Sequence, residues 1–445
     1  GYLRQRLGPA GSPLLEEGLA VAFTPQWQDR GYAYWAGRLW AAGGSLPLPD
    51  LQALYSTEDP DLVRRTLSGA FAAFLLDRWG SSQLLARYGE PLPDSLATWQ
   101  AAWELWLARL ARAHPPVNRR YLPDSYWATG MTLAHEGYNV VDGYGGQGVA
   151  QVVSDLKKLG TNSLALVPYT GSRELNQPGP FRIWQHAGGE NDVSVLNSYY
   201  RARQQGLRTL LKPQIWFPRA WPGEVEMQSE ADWAAFFRHY RRWITHYALL
   251  AEIHQMDMFC VGVEFVKATR QQPEAWRRLI EDLRSLYRGP ITYAANWGEE
   301  IEHLAFADAL DYVGVNCYYP LGKKSQLSDA ELRAGMADVM ETLAGLAGRF
   351  DRPLLLTEVG FRSVPAPWVA PHAEAGDRPY AGLDQARCYA ALLEHIAEAD
   401  WCRGLYWWKW PSFPDYITHN PQGFTPSGKP AERVLGQWFP LLARE

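Results

Sequence analysis

Cysteine is scarce in this 445-residue chain. There are four, Cys260, Cys317, Cys388 and Cys402, and none stands in a CxxC pair or at a metal-ligand spacing. That excludes a disulfide scaffold and a thiolate metal site, leaves free buried thiols as the reading, and does not decide the compartment. Long apolar runs are missing as well. No stretch reaches ~18 residues, so no membrane span is expected. Positive charge is not in excess: the formal net charge is -5. No basic tract stands out, so nucleic acid is not an expected partner. No Gly-x-Gly-x-x-Gly turn follows a strand-like run, which removes the dinucleotide-binding fingerprint. No signal-peptide pattern opens the chain, and it does not begin with Met, so the native N-terminus is expected to have been removed.

What is present is aromatic. The chain carries 21 Trp and 23 Tyr, with 47% hydrophobic and 20% charged residues. The composition is globular, and the length favours two domains over one core. Aromatic rings stack on the apolar C–H faces of sugars, so Trp-rich strand ends fit a carbohydrate ligand. Core filling is the plainer alternative.

Two stretches organise the rest. Pro353-Leu354-Leu355-Leu356-Thr357-Glu358-Val359-Gly360 is an apolar run with a carboxylate near its end. Met256-Asp257-Met258-Phe259-Cys260-Val261-Gly262-Val263-Glu264-Phe265 has the same form. Runs of this length suit strands buried on both faces. An ionised carboxylate buried without partners is costly, so each Glu belongs at a strand mouth, where donors and a ligand can meet it. Two such strands in parallel bring two carboxyl groups to one end of a sheet, which is the requirement of retaining glycoside hydrolysis.

Along the chain, the first third reads as helical. Ala20 to Phe23, Leu62 to Leu76 and Trp99 to Leu110 have apolar residues at helical spacing, broken at Gly80 and at Pro91-Leu92-Pro93. Ala113-His114-Pro115-Pro116-Val117-Asn118 reads as a linker. The expected domains are therefore 1–118, helical, and 119–445. In the second, strand and helix alternate. Strands are expected at Tyr126–Leu133, Ser163–Pro168, Arg208–Gln214, Met256–Glu264, Ile291–Asn296, Tyr312–Cys317, Leu354–Glu358 and Gly404–Trp408. Helices fill the intervals, and a last one lies near Pro430 to Trp438. Eight such units predict an α/β chain with a (β/α)8 barrel. Barrel chemistry gathers at the C-terminal ends of strands. Those ends here read Lys212-Pro213-Gln214, Glu264, Asn296-Trp297, Tyr318-Tyr319, Glu358 and Trp408-Lys409-Trp410.

On these residues the second domain resembles the clan A glycoside hydrolases, and among them the family 113 β-mannanases, over roughly residues 125 to 440. The resemblance rests on Gly262-Val263-Glu264 ending strand four and Thr357-Glu358-Val359-Gly360 ending strand seven. Phe424-Thr425-Pro426-Ser427-Gly428-Lys429-Pro430-Ala431 before the last helix adds to it. It implies Glu264 as acid/base, Glu358 as nucleophile, β-1,4-mannan or manno-oligosaccharides as substrate, and no metal or other cofactor. The chain departs from the clan pattern at Val263, where many members carry Asn. A β-glycosidase acting on another β-hexoside and a non-catalytic carbohydrate-binding barrel are the alternatives. A secreted or periplasmic bacterial-type enzyme is the matching expectation for location.

In the first domain, Leu14-Leu15-Glu16-Glu17-Gly18-Leu19-Ala20 and Ser68-Gly69-Ala70-Phe71 resemble zincin peptidase segments, and the resemblance would make Glu17 a zinc ligand. No HExxH exists here, because the one His-Glu pair, His135-Glu136, is followed by Gly-Tyr-Asn. A single carboxylate does not hold a catalytic zinc, so a degenerate or truncated peptidase-like domain without its own catalysis is expected.

The remaining site candidates follow from strand ends. Tyr318 is a candidate donor to Glu358, with packing as its other reading. By alternation Tyr319 faces away. Trp408 and Trp410 share a face of an extended segment, and one of them could floor the sugar subsite or fill the core. Lys212 and Gln214 follow an apolar strand and could bind sugar hydroxyls, with a rim ion pair as the alternative for Lys212. Asn296 and Trp297 are candidate wall residues or simple loop structure. His419 is read as a loop histidine. Working as a retaining pair, the two carboxyls should lie ~5–5.5 Å apart, against more than ~6.5 Å for inversion.

Overall fold

Largely apolar runs of four to ten residues become the barrel strands of the chain. The computed structural model describes residues 2–24, 26–57, 61–134, 143–185, 189–413 and 420–443. The strands are β1 (Ala128–Ala134), β2 (Ser163–Leu166), β3 (Tyr169–Gly171), β4 (Arg208–Leu211), β5 (Gln214–Trp216), β6 (Met258–Val263), β7 (Ile291–Asn296), β8 (Tyr312–Cys317), β9 (Leu354–Val359) and β10 (Cys402–Pro411). Eight of them close a barrel in the order β1-β10-β9-β8-β7-β6-β4-β2. Their pairs are parallel throughout. This is the expected (β/α)8 barrel. Helices such as Gly148–Lys158, Asp192–Gln204, Asp329–Phe350, Gly382–Ile396 and Pro430–Leu442 follow strands in chain order.

The third predicted strand differs from its expectation. Arg208 to Gln214 is two strands, parted at Pro213. Proline brings no N–H to a ladder, so β4 ends before it. The chain resumes as β5, which pairs in parallel with β3 as a separate two-stranded sheet. That small sheet lifts Tyr169 and Trp216 beyond the ends of β2 and β4.

The barrel interior is filled by Ala128, Ala165, Leu210, Met258, Cys260, Ala294, Leu355 and Tyr406, with Leu122 and Tyr126 beside them. Tyr406 carries the one phenol among the strand residues of this cluster and shares a 2.7 Å hydrogen bond with Ser163 Oγ. Fully burying side chains of the Leu or Met class contributes ~1.5–3 kcal/mol each, which makes the interior a packed plug below the strand ends.

By contact density the chain divides into two compact units. One comprises Gly1–Arg119, Tyr240–Gln255 and Glu281–Arg288; the other comprises Arg120–His239, Met256–Ile280 and Gly289–Glu445. Within the first, helices Pro13–Ala22 and Leu62–Ala86 pack closely. A Cβ at Gly18 would stand 2.3 Å from the Ser68 carbonyl oxygen, so the small residues of Glu17-Gly18 and Ser68-Gly69 set how near the helices come. The expected break at Gly80 is present as a φ of 73° inside the second helix. Glu17 pairs with Arg65 at 3.5 Å. Among the described residues no group of three or more His, Cys, Asp or Glu could hold a metal ion, and no helix is long and apolar enough to cross a membrane. His135, Glu136 and His419 lie outside the described residues.

Candidate active site

At the C-terminal ends of the barrel strands lies a cavity of about 850 Å³. Glu264 and Glu358 both line it, with Gln214, Asn296, Trp297, Tyr318 and Trp408 from the expected set. One end of one sheet therefore carries both carboxyl groups, as the two apolar runs required.

Glu264 follows β6 immediately and takes a left-handed backbone, φ 57°. Its N–H still donates to the Ala294 carbonyl at 2.9 Å, so the residue stays tied to β7 while its side chain turns into the cavity. Three neutral donors meet its carboxyl group. Trp221 Nε1 reaches Oε2 at 2.7 Å, and Asn296 Nδ2 and Asn316 Nδ2 reach Oε1 at 3.1 and 3.0 Å. Burial pushes its pKa up, the nearby Glu358 charge adds to the rise, and the three hydrogen bonds oppose it. A carboxyl group arranged this way holds its proton into a higher pH range than a solvated one.

Glu358 has the opposite surroundings. It lies within β9 and is 7% exposed. Lys212 Nζ donates to Oε1 at 2.7 Å, Gln214 Nε2 to the same oxygen at 3.1 Å, and Tyr318 OH to Oε2 at 3.0 Å. Lys212 is fully buried and also donates to the Thr357 carbonyl at 3.2 Å. Its ammonium supplies the compensating charge that a buried carboxylate needs. The Tyr318 hydroxyl is pushed well above the ordinary phenol range by burial, then by Glu358 and Glu264, and so remains a donor.

The two short motifs acquire physical reasons. A Cβ at Gly262 would lie 2.7 Å from the Tyr293 ring and 2.9 Å from Trp276, so only glycine lets those rings close on β6. A Cβ at Gly360 would lie 2.5 Å from the Trp408 carbonyl oxygen, which requires glycine where β9 meets β10. Thr357 Oγ1 donates to Asn316 Oδ1 at 3.0 Å, turning the amide so that its nitrogen faces Glu264. One threonine thus links the strand of one carboxylate to a donor of the other.

The other expected residues divide. Tyr318 proves to be a donor to Glu358. Lys212 makes an ion pair beneath the cavity rather than lining it; its Nζ lies 5.2 Å from the Trp408 ring centre. Trp297 packs on Tyr319 at 5.2 Å, and the Tyr319 hydroxyl accepts from the Gly298 N–H at 3.1 Å. Trp410 does not join the cavity lining and is 6% exposed. Alternation from Trp408 fails because Met131 faces Trp407 while Leu133 faces Trp410. Three residues of β10 span what two span on β1, and the extra residue reverses the phase.

Trp221 and Asn316 escape a strand-end reading. Trp221 lies in the long connection between β5 and the next helix, with nothing local to mark it apart from other tryptophans. Asn316 had a signal: it is the polar residue inside Val313-Gly314-Val315-Asn316-Cys317, and such a residue needs partners. Arg362, His372, Glu374, Lys409, Asn420, Phe424 and Thr425 also line the cavity.

The model of Glycoside Hydrolase Family 113 matches residues 137–429. The solved family 113 β-mannanase of Alicyclobacillus acidocaldarius, in complex with ManMIm, is similar with a TM-score of 0.64 and 25% identity, covering 72% of this chain and 98% of that one. A further solved family 113 β-1,4-mannanase, also as a complex, gives 0.62 and 22% identity over 71% and 99%. A family 5 mannosidase of Rhizomucor miehei gives 0.51 and 11% identity over 73% and 97%, a likeness of fold alone. No curated protein matches the chain.

Proposed function

The chain belongs to Glycoside Hydrolase Family 113 and is a glycoside hydrolase, and from that premise we propose that it cleaves β-1,4-mannan or manno-oligosaccharides with retention of anomeric configuration. Glu264 protonates the glycosidic oxygen as the bond to the leaving sugar breaks. Glu358 attacks the anomeric carbon and forms a glycosyl-enzyme. Glu264, now ionised, takes a proton from water as that water displaces Glu358. The single observation that carries this reading is the contrast between two carboxyl groups in one cavity. Among the described residues Glu264 meets neutral donors alone and has its pKa raised, whereas Glu358 is bonded to a buried ammonium. Environments so different separate an acid from a nucleophile.

Gln214, Trp297 and Trp408 serve as sugar contacts in this reading, with Asn296 and Tyr318 orienting the two carboxyls. The mannan assignment leans on the family 113 β-mannanases among the similar structures. Another β-hexoside is the second reading, favoured by Val263, which lines the cavity beside Glu264 and offers a sugar hydroxyl no hydrogen bond. Residues 119–445 form the catalytic domain in this proposal, and 1–118 a peptidase-like helical domain without catalysis of its own. Glu17, the carboxylate that the resemblance would make a zinc ligand, pairs with Arg65.

The test is the configuration of the first product, followed by NMR during hydrolysis of manno-oligosaccharides and of a panel of other β-hexosides. Initial appearance of the β-anomer from mannan substrates is expected. Initial α-anomer would overturn double displacement, and turnover confined to another hexoside would replace the sugar.

A further inference from the structure

Another buried carboxyl group stands behind Glu264 and takes no part in the chemistry above. Glu300 belongs to the short helix Glu299–Glu302, which follows β7, and is 1% exposed. Three donors converge on it. Asn296 N–H reaches Oε2 at 2.6 Å. Tyr293 OH and Thr269 Oγ1 reach Oε1 at 2.7 and 3.1 Å.

Two of these donors lead back to the acid/base residue by separate routes. The Asn296 side chain donates to Glu264 Oε1, while its backbone is held by Glu300. The Tyr293 hydroxyl accepts from the Phe265 N–H at 2.8 Å while donating to Glu300. Phe265 is the next residue after Glu264, and its N–H is the group that the left-handed turn at Glu264 points away from the strand ladder. A closed ring results: Glu264 carboxyl, Asn296 side chain, Asn296 N–H, Glu300 carboxyl, Tyr293 hydroxyl, Phe265 N–H, and back to Glu264. Oε2 accepts from Asn296 and Oε1 from Tyr293, and because the Thr269 hydroxyl also has the Val266 carbonyl as acceptor at 3.1 Å, a proton on Oε1 has Thr269 Oγ1 to go to; the ring needs both oxygens and survives protonation of the acid.

We propose that Glu300 is a positioning residue that fixes the direction of the Glu264 carboxyl group, holding Asn296 from one side and the Glu264–Phe265 turn from the other. A ring closed through one side chain fixes both the position and the rotation of the acid. Proton transfer in the transition state depends on that aim. The proposal rests on Glu264 being the acid/base.

The experiment compares leaving groups. A dinitrophenyl glycoside departs with little protonic help, whereas a phenyl glycoside or a sugar needs it. The ratio of kcat/KM for the dinitrophenyl over the phenyl β-glycoside, on a hexose that the wild type hydrolyses, therefore reads acid catalysis separately from binding and fold. Glu300→Ala removes both acceptors of the ring. Tyr293→Phe loses only the Phe265 arm and keeps the ring packing against Trp276 and Phe306. Glu264→Ala is the reference, and folding of each variant is followed by thermal melting. The ratio is expected to rise ~10-fold or more in every folded variant, part of the 10²–10⁴ that a general acid contributes. A ratio within about twofold of wild type in a folded Glu300 or Tyr293 variant, while Glu264→Ala shows the rise, overturns the positioning role. No rise in Glu264→Ala itself removes Glu264 as the acid and the proposal with it, a result distinct from the first.

Discussion

Replacing Glu358 with Gln tests whether the two carboxyl groups act on each other as an acid and its neighbour. Both line one cavity, and the Glu358 charge is the second cause of the raised Glu264 pKa, after burial. Glutamine keeps the shape and removes the charge. Two unit charges at the retaining separation of ~5.5 Å, with an effective dielectric of ~20, repel by about 3 kcal/mol. Glu264 is partly exposed to the cleft, so water weakens the coupling below that figure, and a fall in its pKa is the expected result. The sign follows from the charge: with the neighbouring anion gone, ionising Glu264 costs less and its pKa falls. Burial, the larger cause, is untouched, so the group does not return to its ordinary value. The assay is a ¹³C titration of glutamate-labelled protein, with the Glu264 signal identified by its loss in Glu264→Gln. An unchanged Glu264 titration in Glu358→Gln would refute the coupling, and a rise would reverse it.

Two further outcomes concern stability. Lys212→Met leaves Glu358 without its ammonium in a site where the two side chains are 0% and 9% exposed; breaking a buried pair from one side costs ~3–5 kcal/mol, measured by urea unfolding. A loss below ~1 kcal/mol, or no recovery in Lys212→Met/Glu358→Gln, contradicts the pairing. Burial pushes Glu300 up to about 8, against ~4.3 for an unfolded glutamate. Between those values the folded chain holds a proton that the unfolded chain has lost, so stability falls as pH rises through that window. Glu300→Gln should flatten the decline in Tm between about pH 5 and 8, and parallel declines in the two proteins would show that Glu300 does not titrate there.

The barrel was legible because its strands are buried on both faces and so read as apolar runs at regular intervals. The carboxyl pair was legible for the complementary reason: a charged residue at the end of such a run has few places to go. Where local rules compete, the reading failed. Alternation made Trp408 and Trp410 partners, but one extra residue in β10 against β1 separated them. Arg208 to Gln214 looked like one strand until Pro213 withdrew a donor and sent the chain into a second small sheet. Trp221 reaches Glu264 from a connection 43 residues earlier, a distance that no local pattern encodes. Asn316 lay in plain view inside a strand, and a buried amide of that kind, which must find partners, was the clue left unused. In the first unit, Gly18 and Gly69 serve close helix packing, a role that small residues in a helical stretch do not declare by themselves.

Whether a sugar becomes covalently attached to Glu358 is the most direct question. A 2-deoxy-2-fluoro-β-mannosyl fluoride slows both steps but leaves a good leaving group, so the glycosyl-enzyme should accumulate and be found by peptide mass mapping. The expected result is a single added fluorosugar on the peptide containing Glu358, absent in Glu358→Gln. Attachment at another residue, or full turnover of mannan by Glu358→Gln, would contradict a double displacement through this carboxylate.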